Sequence, residues 1–456
     1  MHDSDRAAAD LASRSAWPDP QALGTLTDLY QLTMMAGHAA SGLDDSRATF
    51  ELFVRKLPPG RAYLVFAGLE QAIADLLRMA ISREQAEALR AWPIFANVDP
   101  RWFDRLPDLR FRGDLWAVPE GTVVYAGEPL VRVSGRLPEV QWVETYLLAS
   151  LAYPTLVASK AARVVSAARG RSLLEFGTRR GHGPQASLIC ARSAYLAGFD
   201  ATSNVEAALR FGIPCSGTMA HAWIQAHGDE ERAFADFARV YPHPTLLVDT
   251  YDTLEGVRRA AAIEPAAGAI RLDSGDLGAL ARDAREILDA AGRESTKIVA
   301  SGDLDERKID RLLAEGAPID VFGVGTELIT SRDAPAISMV YKLVEQDGVG
   351  RIKLSPGKKT YPGAKQIFRR LDAAGRFAGD HVTHRDEVAE GEPLLRPFVA
   401  EGRLAGPLPT LEESRARCRA QLAALPDRLR ELDAAADFPI SYSDRLELEA
   451  RALGVK

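Results

Sequence analysis

Between about residues 170 and 325 the chain alternates short apolar runs with amphipathic stretches of helix length. The runs fall at 172–176, 199–203, 214–219, 245–248, 269–272, 297–300 and 320–324. The stretches between them centre on 186–196, 223–240, 254–262, 277–291 and 304–314. A brief apolar run followed by a 3.6-residue periodicity is the pattern of a buried parallel strand and its crossover helix. Seven such runs come close to the eight strands of a closed barrel. The expected fold is therefore α/β, a TIM-like α/β barrel, with an open doubly wound sheet as the alternative.

The flanks read differently. Thr27 or Asp28 can cap a helix whose apolar face runs Leu29, Leu32, Met35 and Ala36, with Tyr30 off that stripe. Residues 48–54 alternate as a strand. From 110 to 133, β-rich pieces broken by Gly113-Asp114, Pro119-Glu120-Gly121 and Gly127-Glu128-Pro129 predict a small antiparallel layer around Val123, Val124, Leu130, Val131 and Val133. Residues 141–168 read as helix. Past 330 the alternation lapses. Residues 338–344 and 351–354 predict a strand pair across Gln346-Asp347-Gly348, Lys358-Lys359-Thr360 opens a basic loop, and 407–432 reads as an arginine-rich helix with a solvated face. The expected organisation is a mobile tail at 1–20 and an N-terminal α/β domain at 21–148. A barrel at 149–334 carries the active site, and a C-terminal segment at 335–456 packs back to complete the N-terminal domain.

Polar and glycine residues cluster at one end of nearly every run. Glu175 leads into Gly177-Thr178-Arg179-Arg180, the run at 214–219 into His221, and Val248 into Asp249-Thr250-Tyr251-Asp252. Leu272 leads into Asp273-Ser274-Gly275-Asp276, Ala300 into Ser301-Gly302-Asp303, and Val324 into Gly325-Thr326-Glu327. In a parallel barrel these ends meet on the face where active sites lie. The cations Arg179, Arg180, Arg271 and Arg332, with Lys160, suit phosphate. The carboxylates Asp249, Asp252, Asp273, Asp276 and Asp303 suit ribose hydroxyls and a magnesium ion carried by a polyphosphate. Gly302, Gly323 and Gly325 let backbone N–H groups approach a phosphate. Together they indicate a phosphorylated sugar or nucleotide without fixing the reaction.

Composition narrows this little. The net charge of -7 argues against nucleic-acid binding, and Cys190, Cys215 and Cys418 are too far apart for a C-x-x-C zinc site or a disulfide framework. No stretch has signal-peptide character or the length and apolarity of a membrane span, so a cytoplasmic protein is expected. Walker, Rossmann, H-E-x-x-H and G-x-S-x-G signatures are absent.

A resemblance is carried by TDLYQLTM (27–34), FELFVRKLP (50–58), VFAGLE (65–70), EGTVVYAGEPLVRVSG (120–135), EFGTRRGHGP (175–184), GTMAHAWIQAH (217–227), VDTYDT (248–253), IRLDSGDL (270–277), SGDLDE (301–306) and FGVGTELITS (322–331). In this order the segments resemble the nicotinate phosphoribosyltransferase family. The resemblance implies a type II phosphoribosyltransferase of NAD biosynthesis, usually a homodimer, with an N-terminal α/β domain joined to an atypical α/β (TIM-like) barrel. Such enzymes form nicotinate mononucleotide and pyrophosphate from nicotinate and phosphoribosyl pyrophosphate. Magnesium assists, and ATP hydrolysis is coupled through a transient phosphohistidine.

By that resemblance His221, and not His227, is the phosphorylated residue, and Asp249 is the candidate acceptor that orients it. Asp273 and Asp303 are expected at the ribose or metal. Phe176 and Tyr30 are expected to stack on the pyridine ring, Tyr30 from the dimer partner. Ser203 stands where the nicotinamide enzyme has an aspartate, which favours an acid substrate. Arg179 and Arg271 are candidates for the carboxylate or phosphate, and Thr218, Gly302, Gly323, Gly325 and Thr326 complete the binding set. Gly181-His182 departs from the Ala-Gln of many relatives, and His182 is assigned no role. The competing readings are a nicotinamide or quinolinate phosphoribosyltransferase and a catalytically silent nucleotide sensor. An aldolase-type barrel is more distant, for want of a well-placed Schiff-base lysine.

Overall fold

The computed structural model describes residues 23–354, 360–433 and 437–454. The tail expected at 1–20 and Lys358-Lys359 of the basic loop lie outside the described residues. The helix Leu29–Ala40 (α1) buries Leu32, Met35 and Ala36, while Leu29 and Tyr30 are exposed. It belongs to a layer built on a seven-stranded antiparallel sheet, in the order Val349–Gly350, Met339–Gln346, Arg47–Val54, Pro129–Arg136, Asp114–Ala117, Arg396–Ala400, Arg403–Leu404. C-terminal strands thus flank N-terminal ones, and Phe50 stacks on Tyr341 at 4.9 Å across one such pair.

Two details depart from the expected layer. Val123–Val124 pairs with Leu64–Val65 in a separate two-stranded ribbon. The hairpin expected to end at 351–354 closes at Val349–Gly350, because Asp347 (φ 50°) and Gly348 (φ 75°) make a tight two-residue turn.

The helix Glu144–Ala167 (α2) belongs to both hydrophobic cores. Tyr146, Leu147 and Leu151 enter the core of the antiparallel layer, and Val157, Ala158, Ala161, Ala162 and Val164 enter that of the barrel. Lys160 and Arg163 lie on the same helix, and both are buried. Lys160 pairs with Glu306 at 2.5 Å and Asp333 at 2.8 Å, Arg163 pairs with Glu306 at 2.9 Å, and Arg61 of the N-terminal layer meets Asp333 at 3.0 Å.

The barrel is a six-stranded parallel sheet. Its strands are β1 (Ser172–Glu175), β2 (Ala201–Thr202), β3 (Thr245–Leu247), β4 (Ala269–Leu272), β5 (Lys297–Ala300) and β6 (Val321–Val324), in the spatial order β2-β1-β6-β5-β4-β3. The run expected as a strand at 214–219 contributes a single parallel bridge, Thr202 to Cys215. On its far side that segment meets β3 through side chains: Thr218 donates its hydroxyl to the Thr245 carbonyl at 2.5 Å. The fold is the expected α/β barrel in an incompletely closed form. Crossover helices include α3 (Pro184–Ala197), α4 (His221–His227), α5 (Thr253–Ala262), α6 (Leu277–Ala290) and α7 (Glu306–Ala314).

The arginine-rich helix Leu411–Ala423, capped reciprocally by Thr410 and Glu413, is more than a solvated face. Arg415 donates to the carbonyls of Tyr195, Gly198 and Phe199 at the C-terminal end of α3, and Arg417 donates to Glu120 O at 2.8 Å. Among the described residues no helix is long and apolar enough to cross a membrane.

Candidate active site

The carboxyl ends of the barrel strands converge on an open cleft of about 450 Å³. After β1 the chain turns through Phe176-Gly177, then a single 3-10 turn, Thr178–Arg180. Phe176 lies against β6 because Gly323 has no side chain; a Cβ there would sit 2.6 Å from the ring. From β4, the Arg271 guanidinium lies 5.6 Å from the centre of the Phe176 ring. It is pinned by donating Nε to Ser301 Oγ and Nη2 to Asp273 Oδ1, each at 2.7 Å. Its fork is therefore pre-oriented, and part of its charge is already met.

His221 is the first residue of α4 and is half-buried. Its Nδ1 is hydrogen-bonded to Thr250 Oγ1 at 3.1 Å. The candidate partner Asp249 does not make this contact among the described residues; its Oδ2 accepts the Asp273 N–H at 2.9 Å and the Ser274 hydroxyl at 2.8 Å. Asp249 Oδ1 is buried and, among the described residues, has no hydrogen-bond partner. The carboxylate is thus spent on holding the tip of β4, and the neighbouring hydroxyl takes the imidazole. His227 faces away from this role, bound through Nδ1 to Trp223 O at 2.8 Å and lying 3.6 Å from Asp236.

The cleft brings together Phe176, Arg179, Ser203, Thr218, His221, Arg271 and Asp273, with Thr178, Cys215, Ser216, Gly217, Met219, Ala220 and Leu247 completing the wall. Cys215, Leu247 and Thr250 are not among the site residues that the sequence suggests. Thr250 carried a signal there, as a hydroxyl at a strand tip beside an aspartate. The other candidates stand off this wall. Gly302 (φ +98°) packs on the backbone of Asp273, where a Cβ would lie 2.3 Å from Asp273 O. Asp303 follows it, exposed and in the left-handed region at φ 46°. Gly325 touches the Phe176 backbone, where a Cβ would meet Phe176 O at 3.0 Å, and Thr326 opens a short helical turn. Tyr30 is 46% exposed on α1 and does not line this chain's cleft.

Several charged residues have other employment. Lys160 cannot meet a phosphate from the buried ion-pair network. Arg332 pairs with Glu327 at 2.8 Å. Asp252 and Asp276 are helix caps, accepting from Glu255 N–H and from Gly278 and Ala279 N–H respectively. Arg179, Arg180 and His182 are exposed, and the two arginines form no ion pair among the described residues. Nor does any group of three His, Cys, Asp or Glu side chains among them come together to hold a metal ion.

Fold and cleft together define a class: an open α/β barrel whose strand tips surround one cleft with guanidinium, imidazole, hydroxyl, carboxylate and an aromatic ring. Family models narrow the class. The one described as the nicotinate phosphoribosyltransferase (NAPRTase) family matches residues 171–353, and those for its N-terminal and C-terminal domains match 25–152 and 388–448. The chain is 46% identical over 435 residues to nicotinate phosphoribosyltransferase pncB2 of Mycobacterium tuberculosis, covering 93% of each chain. It is 43% identical over 386 residues to nicotinate phosphoribosyltransferase of Bacillus subtilis, covering 82% of this chain and 78% of that one. The crystal structure of human nicotinic acid phosphoribosyltransferase superposes with a TM-score of 0.83 at 30% identity, over 94% of this chain and 100% of that one. The chain belongs to the nicotinate phosphoribosyltransferase family.

Proposed function

We propose that this protein transfers the phosphoribosyl group of phosphoribosyl pyrophosphate to nicotinate, forming nicotinate mononucleotide and pyrophosphate for NAD biosynthesis. The transfer is coupled to ATP hydrolysis through phosphorylation of His221. The observation that carries this reading is the shared cleft of Phe176, Arg179, Ser203, His221 and Arg271. Phe176 offers a ring for the flat pyridine to stack on. Ser203 offers a neutral hydroxyl, which tolerates the substrate carboxylate where an acid would repel it. The pyridine nitrogen attacks C1 of the ribose, the bond from C1 to pyrophosphate breaks, and its electron pair leaves with the pyrophosphate. Arg179 and Arg271 lower the cost of the charge that develops there.

In the coupled reaction His221 takes the terminal phosphoryl group of ATP and later loses it to water, regenerating the imidazole. The Thr250 contact supports the assignment, since a nucleophilic imidazole needs its other ring nitrogen held. Magnesium supplies charge neutralisation on the phosphates. With Asp273 tied to Arg271 and Ser301, and Asp249 tied to Asp273 and Ser274, the donor set fits a metal that arrives on polyphosphate oxygens, not a resident one. Exposed Leu26, Leu29, Tyr30 and Met34 along α1 and its approach fit a homodimer in which Tyr30 reaches the partner's cleft.

The test incubates the protein with phosphoribosyl pyrophosphate, magnesium and ATP, and with nicotinate, nicotinamide or quinolinate in turn. Nucleotide is expected from nicotinate; formation only from nicotinamide or only from quinolinate overturns the reading. His221→Ala is expected to lose ATP hydrolysis and the stimulation of transfer by ATP. Full retention of both would remove the phosphohistidine from the mechanism.

A further inference from the structure

The turn that carries Phe176 and Arg179 and the strand tip that carries Ser203 are separate pieces of chain, yet one residue touches both. Glu175, the last residue of β1, is 1% exposed. Its Oε1 accepts the Gly177 N–H at 2.5 Å, and its Oε2 accepts the Thr202 hydroxyl at 2.5 Å. Its backbone carbonyl accepts the N–H of Ser203 at 3.0 Å and the Ser203 hydroxyl at 3.2 Å. Gly177 is pressed against this carboxylate: a Cβ there would lie 2.9 Å from Oε1 and 2.9 Å from Ile329 Cβ. Among the described residues no cation pairs with Glu175. The titratable groups that face it are the Cys190 thiol of α3, at 4.0 Å, and the Tyr153 phenol of α2. Burial pushes both of these weak acids up, so they stay neutral and lend the carboxylate no charge.

A buried carboxylate without a counter-ion is costly unless its hydrogen bonds do a job. We infer that Glu175 is a positioning residue for nicotinate: its carboxylate locks the 176–179 turn to the 202–203 tip and so sets the spacing between Phe176 and Ser203. This rests on the proposed nicotinate transfer. The ionised carboxylate accepts a charge-assisted bond on each oxygen; a protonated one, like an amide, keeps only a neutral acceptor for Gly177 and must donate to Thr202, which weakens both bonds. Burial raises the Glu175 carboxyl above its ordinary 4.5, against the opposing bonds from Thr202 and Gly177. Protonation on the acid side therefore loosens the lock, and KM for nicotinate rises as pH falls through that raised value.

The experiment measures kcat and KM for nicotinate between about pH 5 and pH 8. Glu175→Gln keeps an acceptor for Gly177 and can donate to Thr202 Oγ1, but it cannot titrate. Because it mimics the protonated carboxyl, its KM is expected about threefold above wild type at neutral pH and flat on acidification, where the wild-type value rises to meet it. Glu175→Leu is expected to raise KM about tenfold with kcat within about twofold, thermal unfolding reporting on its fold. In glycine-labelled protein, the Gly177 amide resonance should titrate in the wild type and stay fixed in Glu175→Gln, a readout independent of any substrate. An unchanged KM in folded Glu175→Leu, an acid-side rise in Glu175→Gln equal to wild type, or a Gly177 amide that does not titrate overturns the inference. Wild-type protein that makes no nucleotide from nicotinate sinks the parent reading and leaves the amide titration to decide this one.

Discussion

At the scale of single residues, the contact between His221 and Thr250 separates two accounts of how the imidazole is held. If the hydroxyl orients the ring, Thr250→Val should slow ATP hydrolysis by about tenfold, the loss of one well-made hydrogen bond, and Thr250→Ser should restore most of it. Hydrolysis that survives Thr250→Val and falls with Asp249→Asn would return the role to Asp249. The sequence made Asp249 attractive because an acid beside a histidine is the commoner orienting pair. It could not reveal that the same carboxylate is needed by the Asp273 N–H and Ser274, contacts that exist only once β3 and β4 lie side by side. The preference for His221 over His227 came from the resemblance alone; the small residues Gly217 and Ala220 mark an approachable loop in the sequence without choosing between the two histidines. Asp252, a candidate for ribose or magnesium, is a helix cap, and Glu255 three residues on is the local signal of that helix start.

At the scale of elements, the alternation of apolar runs and amphipathic stretches gave the barrel strands and crossover helices their places, because each side of that pattern is set by local periodicity. Lengths were less legible. The runs at 199–203 and 214–219 shrink to β2 and a single bridge. Pro214 has no N–H to give a ladder, and past Ser216 the chain turns toward Thr218, which bonds through its side chain. The C-terminal helix shows the opposite error. Its arginines looked solvated because sequence cannot see the carbonyls of Tyr195, Gly198 and Phe199 that Arg415 satisfies. Lys160 is the same lesson for a buried cation: its partners Glu306 and Asp333 come from elements far along the chain.

At the scale of the whole molecule, those partners connect the two cores. Glu306 is 2% exposed and is shared by Lys160 and Arg163. Burial alone would push its carboxyl up, but the two cations hold it below its ordinary 4.5. A depressed carboxyl contributes stability that is present above the unfolded value and lost as pH falls through the folded one. Glu306→Gln should therefore lower unfolding free energy at neutral pH by about 3 kcal/mol, since it leaves buried cations undercompensated. The gap to wild type should narrow on acidification. Denaturant unfolding at two pH values checks this; a variant as stable as wild type at neutral pH would show that the network adds nothing to stability.

The incomplete barrel has a consequence for motion. On one side the segment at 214–216 is held to β2 by two backbone bonds, Thr202 N–H to Pro214 O and Ser216 N–H to Thr202 O. On the other, among the described residues, only the Thr218 hydroxyl and the His221–Thr250 contact cross to the β3 side. The two side-chain hydrogen bonds of that seam contribute about 2 kcal/mol, less than the ladders that join neighbouring strands β3 to β6. The histidine therefore sits on a margin of the wall where, among the described residues, side-chain hydrogen bonds stand in for a ladder.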